Sequence, residues 1–121
     1  SEIWIGVVEK VNMEKETFES LVMELIVNGG AAKSGYIEAI HLAREGDYEG
    51  AAKAGKEAGE AYERAHDLHF KMISEEMDAA NATERLLLIH AEDQLNSAEI
   101  FKEVSMDMMD LYQAVRRLSE K

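Results

Sequence analysis

Four histidines and no cysteine are present in the 121-residue chain. Thiolate nucleophiles, thiolate zinc sites and disulfides are therefore excluded, and imidazole is the most versatile reactive group left. His90 stands apart by its setting, following Leu86-Leu87-Leu88-Ile89 and preceding Ala91-Glu92-Asp93-Gln94-Leu95. A ring in so apolar a run reads most plainly as a hydrogen-bonded core histidine. The chemical reading is a nucleophile: neutral imidazole offers a reactive nitrogen near pH 7 without an activating base. The small Ala91 beside it leaves room for a phosphoryl group.

Glu38-x-x-His41 and Glu63-x-x-His66 offer a different chemistry. A Glu and a His three residues apart share one helix face, the spacing that di-iron bundles use for two ligands of one metal. A metal-binding, di-iron-like helical bundle built on Glu38, His41, Glu63 and His66 is the main alternative function. Against it, glutamate is abundant enough for such pairs to arise by chance, and a di-iron site wants four helices supplying six ligands. His69 reads as a surface or interface residue. A third reading, an interaction module without chemistry, requires His90 to be inert.

The elements that must position these residues are helices. The chain has no proline, the strongest helix breaker, and is rich in Ala, Glu, Leu, Lys and Met, which favour helix. Apolar residues recur at three- and four-residue intervals over residues 14–44, among them Phe18, Leu21, Val22, Leu25, Tyr36 and Ile40. Gly46 suits the end of that helix and Asp47 the N-cap of the next. The second helix is expected over residues 48–77. A loop at residues 78–83 follows, with Thr83 as N-cap of a third helix reaching about residue 119. Short connections make neighbours antiparallel, so the fold class is all-α, an up-down-up three-helix bundle. Residues 1–13, with the apolar Ile3-Trp4-Ile5-Gly6-Val7-Val8, read as an N-terminal arm or an artificial remnant, and residues 14–121 as the domain. That apolar run is too short to span a bilayer, and Glu2 does not suit a signal peptide.

Two features extend the reading beyond one chain. The third helix is apolar on more than one face, and three helices cannot easily surround one of their own, so self-association is expected. Asn28-Gly29-Gly30 in the first helix implies a kink, a tight helix crossing, or a groove where a partner approaches the backbone. The formal net charge of −12 excludes nucleic acid and anionic membrane surfaces as natural partners. A basic protein or a cation fits better, and the absence of cysteine suits a reducing cytoplasm.

The run Leu86-Leu87-Leu88-Ile89-His90-Ala91-Glu92-Asp93-Gln94-Leu95 resembles the Leu-Leu-Leu-Val-His-Ala-Gln-Asp-His-Leu-Met signature of the lactose/cellobiose (N,N'-diacetylchitobiose)-type IIA component of the bacterial sugar phosphotransferase system. The glycine-containing first helix, the Ala43-Arg44-Glu45-Gly46-Asp47-Tyr48 turn, and Ala65-His66 ahead of Met72-Ile73 agree in order and spacing. The resemblance covers residues 16–118. It implies a cytoplasmic homotrimer, a nine-helix bundle, in which His90 accepts a phosphoryl group from HPr and passes it to a cysteine of the IIB component. The IIC membrane permease would be served indirectly, for uptake of a lactose-, cellobiose- or chitobiose-type sugar. The resemblance also implies that Asp93 from each of three subunits holds Mg²⁺ or another divalent cation on the trimer axis. Three converging carboxylates need such a cation or protonation. Glu92, Gln94 and Asn96 depart from the pattern, which bears on partner fit and trimer strength more than on the acceptor.

Overall fold

The computed structural model describes the backbone of residues 2–120 and the side chains of residues 18–120. Three helices make up the chain: α1 (Glu2–Arg44), α2 (Tyr48–Ser74) and α3 (Ala82–Ser119). Helix α1 starts ahead of residue 14, where the apolar periodicity begins. The division into a 1–13 arm and a 14–121 domain concerns side chains outside the described residues.

The first turn forms as its sequence dictates. The Asp47 amide donates to the Leu42 carbonyl (2.9 Å) and the Gly46 amide to the Ala43 carbonyl (3.0 Å), the paired bonds that close a helix through a left-handed residue. That residue is Gly46, at φ +87°. The Asp47 carboxylate then caps α2, accepting from the Gly50 amide at 2.9 Å.

The second turn departs from expectation. Helix α2 ends at Ser74, earlier than residue 77, because Glu76 takes the left-handed position at φ 52°. The Met77 amide reaches back to the Met72 carbonyl, and that of Glu76 to Ile73, at 3.0 Å each. The N-cap of α3 is Asn81, not Thr83. Asn81 Oδ1 accepts from the Glu84 amide (2.9 Å), and the Glu84 carboxylate accepts from Asn81 Nδ2 (3.0 Å). Glu84 is buried, and the bond from Asn81 Nδ2, with a longer one from the Ala80 amide (3.4 Å), offsets the cost of removing its carboxylate from water.

Helix α1 is the spine, packing along both other helices, which touch each other far less. One core cluster joins Phe18, Val22 and Leu25 to Ala65, Met72, Ala91 and Leu95. The other is built mostly of alanine, with Ala32, Tyr36, Ala58, Ala61 and Ala98. Small side chains there let backbones approach closely. A Cβ on Gly35 would lie 2.8 Å from Ala58 Cβ, and one on Gly29 would lie 3.3 Å from Gln94 Cβ. Glycine thus serves each crossing, one toward α2 and one toward α3, and α1 is continuous between them. The Asn28-Gly29 pair is a packing device: Asn28 Oδ1 accepts from Arg64 Nε of α2 at 3.0 Å while Gly29 admits α3. Gly30 has open space around its Cα.

Candidate phosphoryl-acceptor site on the third helix

Helical geometry, about 100° per residue, distributes the motif over distinct faces of α3. Ala91, Leu95 and Ala98 point into the core. On the opposite side lie Leu86, Ile89, Asp93, Asn96 and Ile100, all exposed. Leu86, Ile89 and Ile100 are 68%, 62% and 62% accessible, and Val104, Leu111 and Leu118 continue the apolar stripe along the helix. Asp93 is a carboxylate set in the middle of that stripe.

His90 is exposed, and no hydrogen bond to its ring occurs among the described residues. The core-histidine reading is therefore overturned: the leucines beside it divide between the inside and the outside of the bundle. His90 lies one turn before Gln94, which rests on Gly29, so the ring stands on the flank of α3 that adjoins α1. An accessible imidazole beside an apolar strip can meet an incoming phosphoryl donor directly. Asp93, three residues on, shares the exposed side but lies nearer the centre of the stripe.

Glu92 occupies the other flank. Its Oε2 lies 3.1 Å from His69 Nε2 on α2, in a partly buried pair. This is the one side-chain hydrogen bond between α2 and α3 among the described residues, and no spacing in the chain signals it, so that the expected surface or interface residue His69 sits half-buried against α3. Below it, Lys102 Nζ sits 5.0 Å over the Tyr62 ring. Tyr36 lies beneath the same α2–α3 groove, and burial pushes its hydroxyl above the usual tyrosine range, with Tyr62 and Glu63 adding to the shift. It therefore stays neutral and takes no part as a phenolate.

The alternative metal set is not brought together. Glu38 and His41 sit on α1, Glu63 and His66 on α2, all exposed. No group of three or more potential ligands occurs among the described residues. His66 Nδ1 instead faces its neighbour Asp67 at 3.7 Å, an exposed contact of little energetic weight.

A three-helix bundle with an exposed histidine in this motif defines a phosphocarrier class, and comparison with known proteins identifies the family. Residues 20–113 match the family described as "PTS system, Lactose/Cellobiose specific IIA subunit", and the chain belongs to it. The oligo-beta-mannoside-specific EIIA component of Bacillus subtilis is 34% identical over 104 residues, covering 86% of this chain and 94% of that protein. The PTS cellobiose-specific enzyme IIA from Bacillus anthracis superposes with a TM-score of 0.75 at 32% identity, covering 84% and 93% of the two chains. The chitobiose IIA component of Escherichia coli, solved in complex with HPr, gives a TM-score of 0.67 at 29% identity, covering 82% and 96%. The chain is thus a phosphotransferase-system component that carries phosphoryl groups. Among the described residues, no helix is long and apolar enough to cross a membrane.

Proposed function

We propose that this protein accepts a phosphoryl group from phospho-HPr on His90 and passes it to a cysteine of a IIB component, in the cytoplasm. The IIC permease would be served indirectly. The observation that carries the reading is the exposure of His90 within the family's motif, on a helix flank open to a docking protein. Each transfer is an in-line exchange: in the first the donor's P–N bond breaks as a bond from phosphorus to the His90 ring nitrogen forms, and in the second that bond breaks as a phosphorus–sulfur bond to the IIB cysteine forms. Such transfers depend mainly on positioning, with the nucleophile about 3 Å from phosphorus. A convex helix flank suits two successive protein partners better than a deep pocket. The named relatives are designated as components specific for oligo-β-mannosides, cellobiose and chitobiose, so a β-linked oligosaccharide of the lactose, cellobiose or chitobiose type is the proposed cargo of the pathway.

The working assembly in this reading is a homotrimer closed through the apolar stripe of α3. Leu86, Ile89 and Ile100 leave a large apolar face uncovered in the single chain, and burying it supplies the driving force. Covering the stripe also buries Asp93. Three such carboxylates fit a hard divalent ion such as Mg²⁺, whose preference is for oxygen donors. Such a site takes one carboxylate from each of three chains. The ion would supply charge neutralisation and assembly. His90 needs nothing from it to act as nucleophile.

The test is reconstitution with phosphoenolpyruvate, enzyme I and HPr, followed by addition of a IIB protein. The chain should become labelled only when HPr is present and lose the label to IIB. Failure to accept phosphate from phospho-HPr would contradict the reading.

A further inference from the structure

Helix α3 turns the polar residues that follow His90 in three different directions. At about 100° per residue, Glu92 falls on the far side of the helix, where its carboxylate is held against His69 Nε2 at 3.1 Å. Asp93 lies toward the apolar stripe and, as a carboxylate, only accepts hydrogen bonds. Gln94 stands four residues after His90 on the same flank, and helix residues at that spacing are neighbours, with Cβ atoms about 5–6 Å apart. Side chains on a helix lean toward its N-terminus, so the Gln94 amide leans over the turn that carries His90.

The surroundings of Gln94 give that amide a task. Its stem is seated on α1: a Cβ on Gly29 would lie only 3.3 Å from Gln94 Cβ, so the half-buried side chain loses freedom against the Gly29 backbone. Its amide makes no hydrogen bond among the described residues. Residues 86–94 contain neither lysine nor arginine, and on α1 Gly29 and Gly30 bring no side chain. A phosphoryl group adds about two negative charges to a chain whose net charge is already −12. Within residues 86–94, apart from the His90 ring itself, Gln94 is the one side chain with N–H groups to offer.

We propose that the Gln94 side-chain amide donates a hydrogen bond to a phosphoryl oxygen on His90 and thereby stabilises the phosphorylated chain. A hydrogen bond to a charged acceptor is stronger than one between neutral groups, and a neutral donor holds the phosphoryl group without an ion pair that the next acceptor would have to break. The seat on Gly29 fixes the stem, so little rotamer freedom remains to be lost when the bond forms. The proposal rests on His90 being the acceptor.

The test equilibrates the full chain with phospho-HPr and reads the partition of phosphoryl groups between the two proteins by ³¹P NMR. Gln94→Met keeps the length and the seat on Gly29 but carries no N–H, and it should shift the partition toward phospho-HPr about tenfold. Gln94→Glu keeps the shape and places a carboxylate against the phosphoryl group, so it should shift the partition further. Both variants should retain parental helicity. In the ¹⁵N-labelled parent, the Gln94 side-chain amide signals should move on phosphorylation. A parental partition in either variant, or amide signals that stay in place while His90 is phosphorylated, would overturn the proposal. A parent that takes no phosphoryl group from phospho-HPr would instead contradict the acceptor reading on which it rests, so the two failures are distinguishable.

Discussion

Gly29, Gly30 and Gly35 lie close together on α1 yet meet three different surroundings, and their substitutions should separate accordingly. A methyl group on Gly35 collides with Ala58 at 2.8 Å, so Gly35→Ala should destabilise the chain by about 1–3 kcal/mol, as overpacking does. Gly30 faces open space, and Gly30→Ala should stabilise α1 by up to about 1 kcal/mol through helix propensity alone. Thermal or urea unfolding of both variants measures the contrast, and the same direction of change in both would contradict the packing described. If Gly30→Ala also slows transfer from phospho-HPr while raising stability, Gly30 belongs to the docking surface. Gly29 does not, because Gln94 and Leu95 already rest on it. The residue-level reading of the sequence could not divide the pair: two adjacent glycines are identical in sequence and differ only in which neighbour they face.

At the scale of elements, the two turns differ in how openly they are written. Gly46-Asp47 carries a glycine for the left-handed position and an acid for the cap, so the first turn follows directly from residue types. The second turn places Glu76 in the left-handed region, which costs a non-glycine residue about 1 kcal/mol or more. Glu76→Gly should accordingly stabilise the chain by about 1 kcal/mol, less the added chain entropy that glycine brings to the unfolded state. A chemical-denaturation midpoint that fails to rise would count against the strain. The end of α2 is not legible in the sequence because no glycine marks it. The start of α3 was legible in principle: Asn81 has Glu84 three residues on, the capping-box spacing, whereas Thr83 is followed at that spacing by Leu86. The existence and order of three helices were readable from periodicity, and the motif on the third from its resemblance to the family signature. The exposure of His90 was not, since a run of leucines signals burial without saying whether this chain or another covers it. The His69–Glu92 pair was hidden for a related reason, being a contact between helices and not within one.

At the scale of the whole molecule, the uncovered stripe of α3 and the carboxylate within it are the features that a single chain leaves unresolved in energy. If three copies close on that stripe around a cation, Asp93→Leu should preserve or strengthen the trimer, because replacing a buried charged cluster with apolar packing is often neutral or favourable. Asp93→Lys should disperse it by placing three cations together. Sedimentation of the parent and both variants, with and without chelator, reads the outcome; a monomeric parent at micromolar concentration or a trimeric Asp93→Lys chain would contradict the axial placement. The acceptor would stand regardless, because the nucleophilic ring needs no ion. The central claim is that phosphate travels through His90, and its most direct test is phosphorylation of the parent and of His90→Ala by phosphoenolpyruvate, enzyme I and HPr. Phosphopeptide mapping should be done under alkaline conditions, where phosphohistidine survives. The parent should carry an acid-labile, alkali-stable phosphoryl group on His90, while His90→Ala stays unlabelled with its helicity intact and His41, His66 and His69 prove dispensable. Equal labelling of the His90→Ala chain would contradict the account.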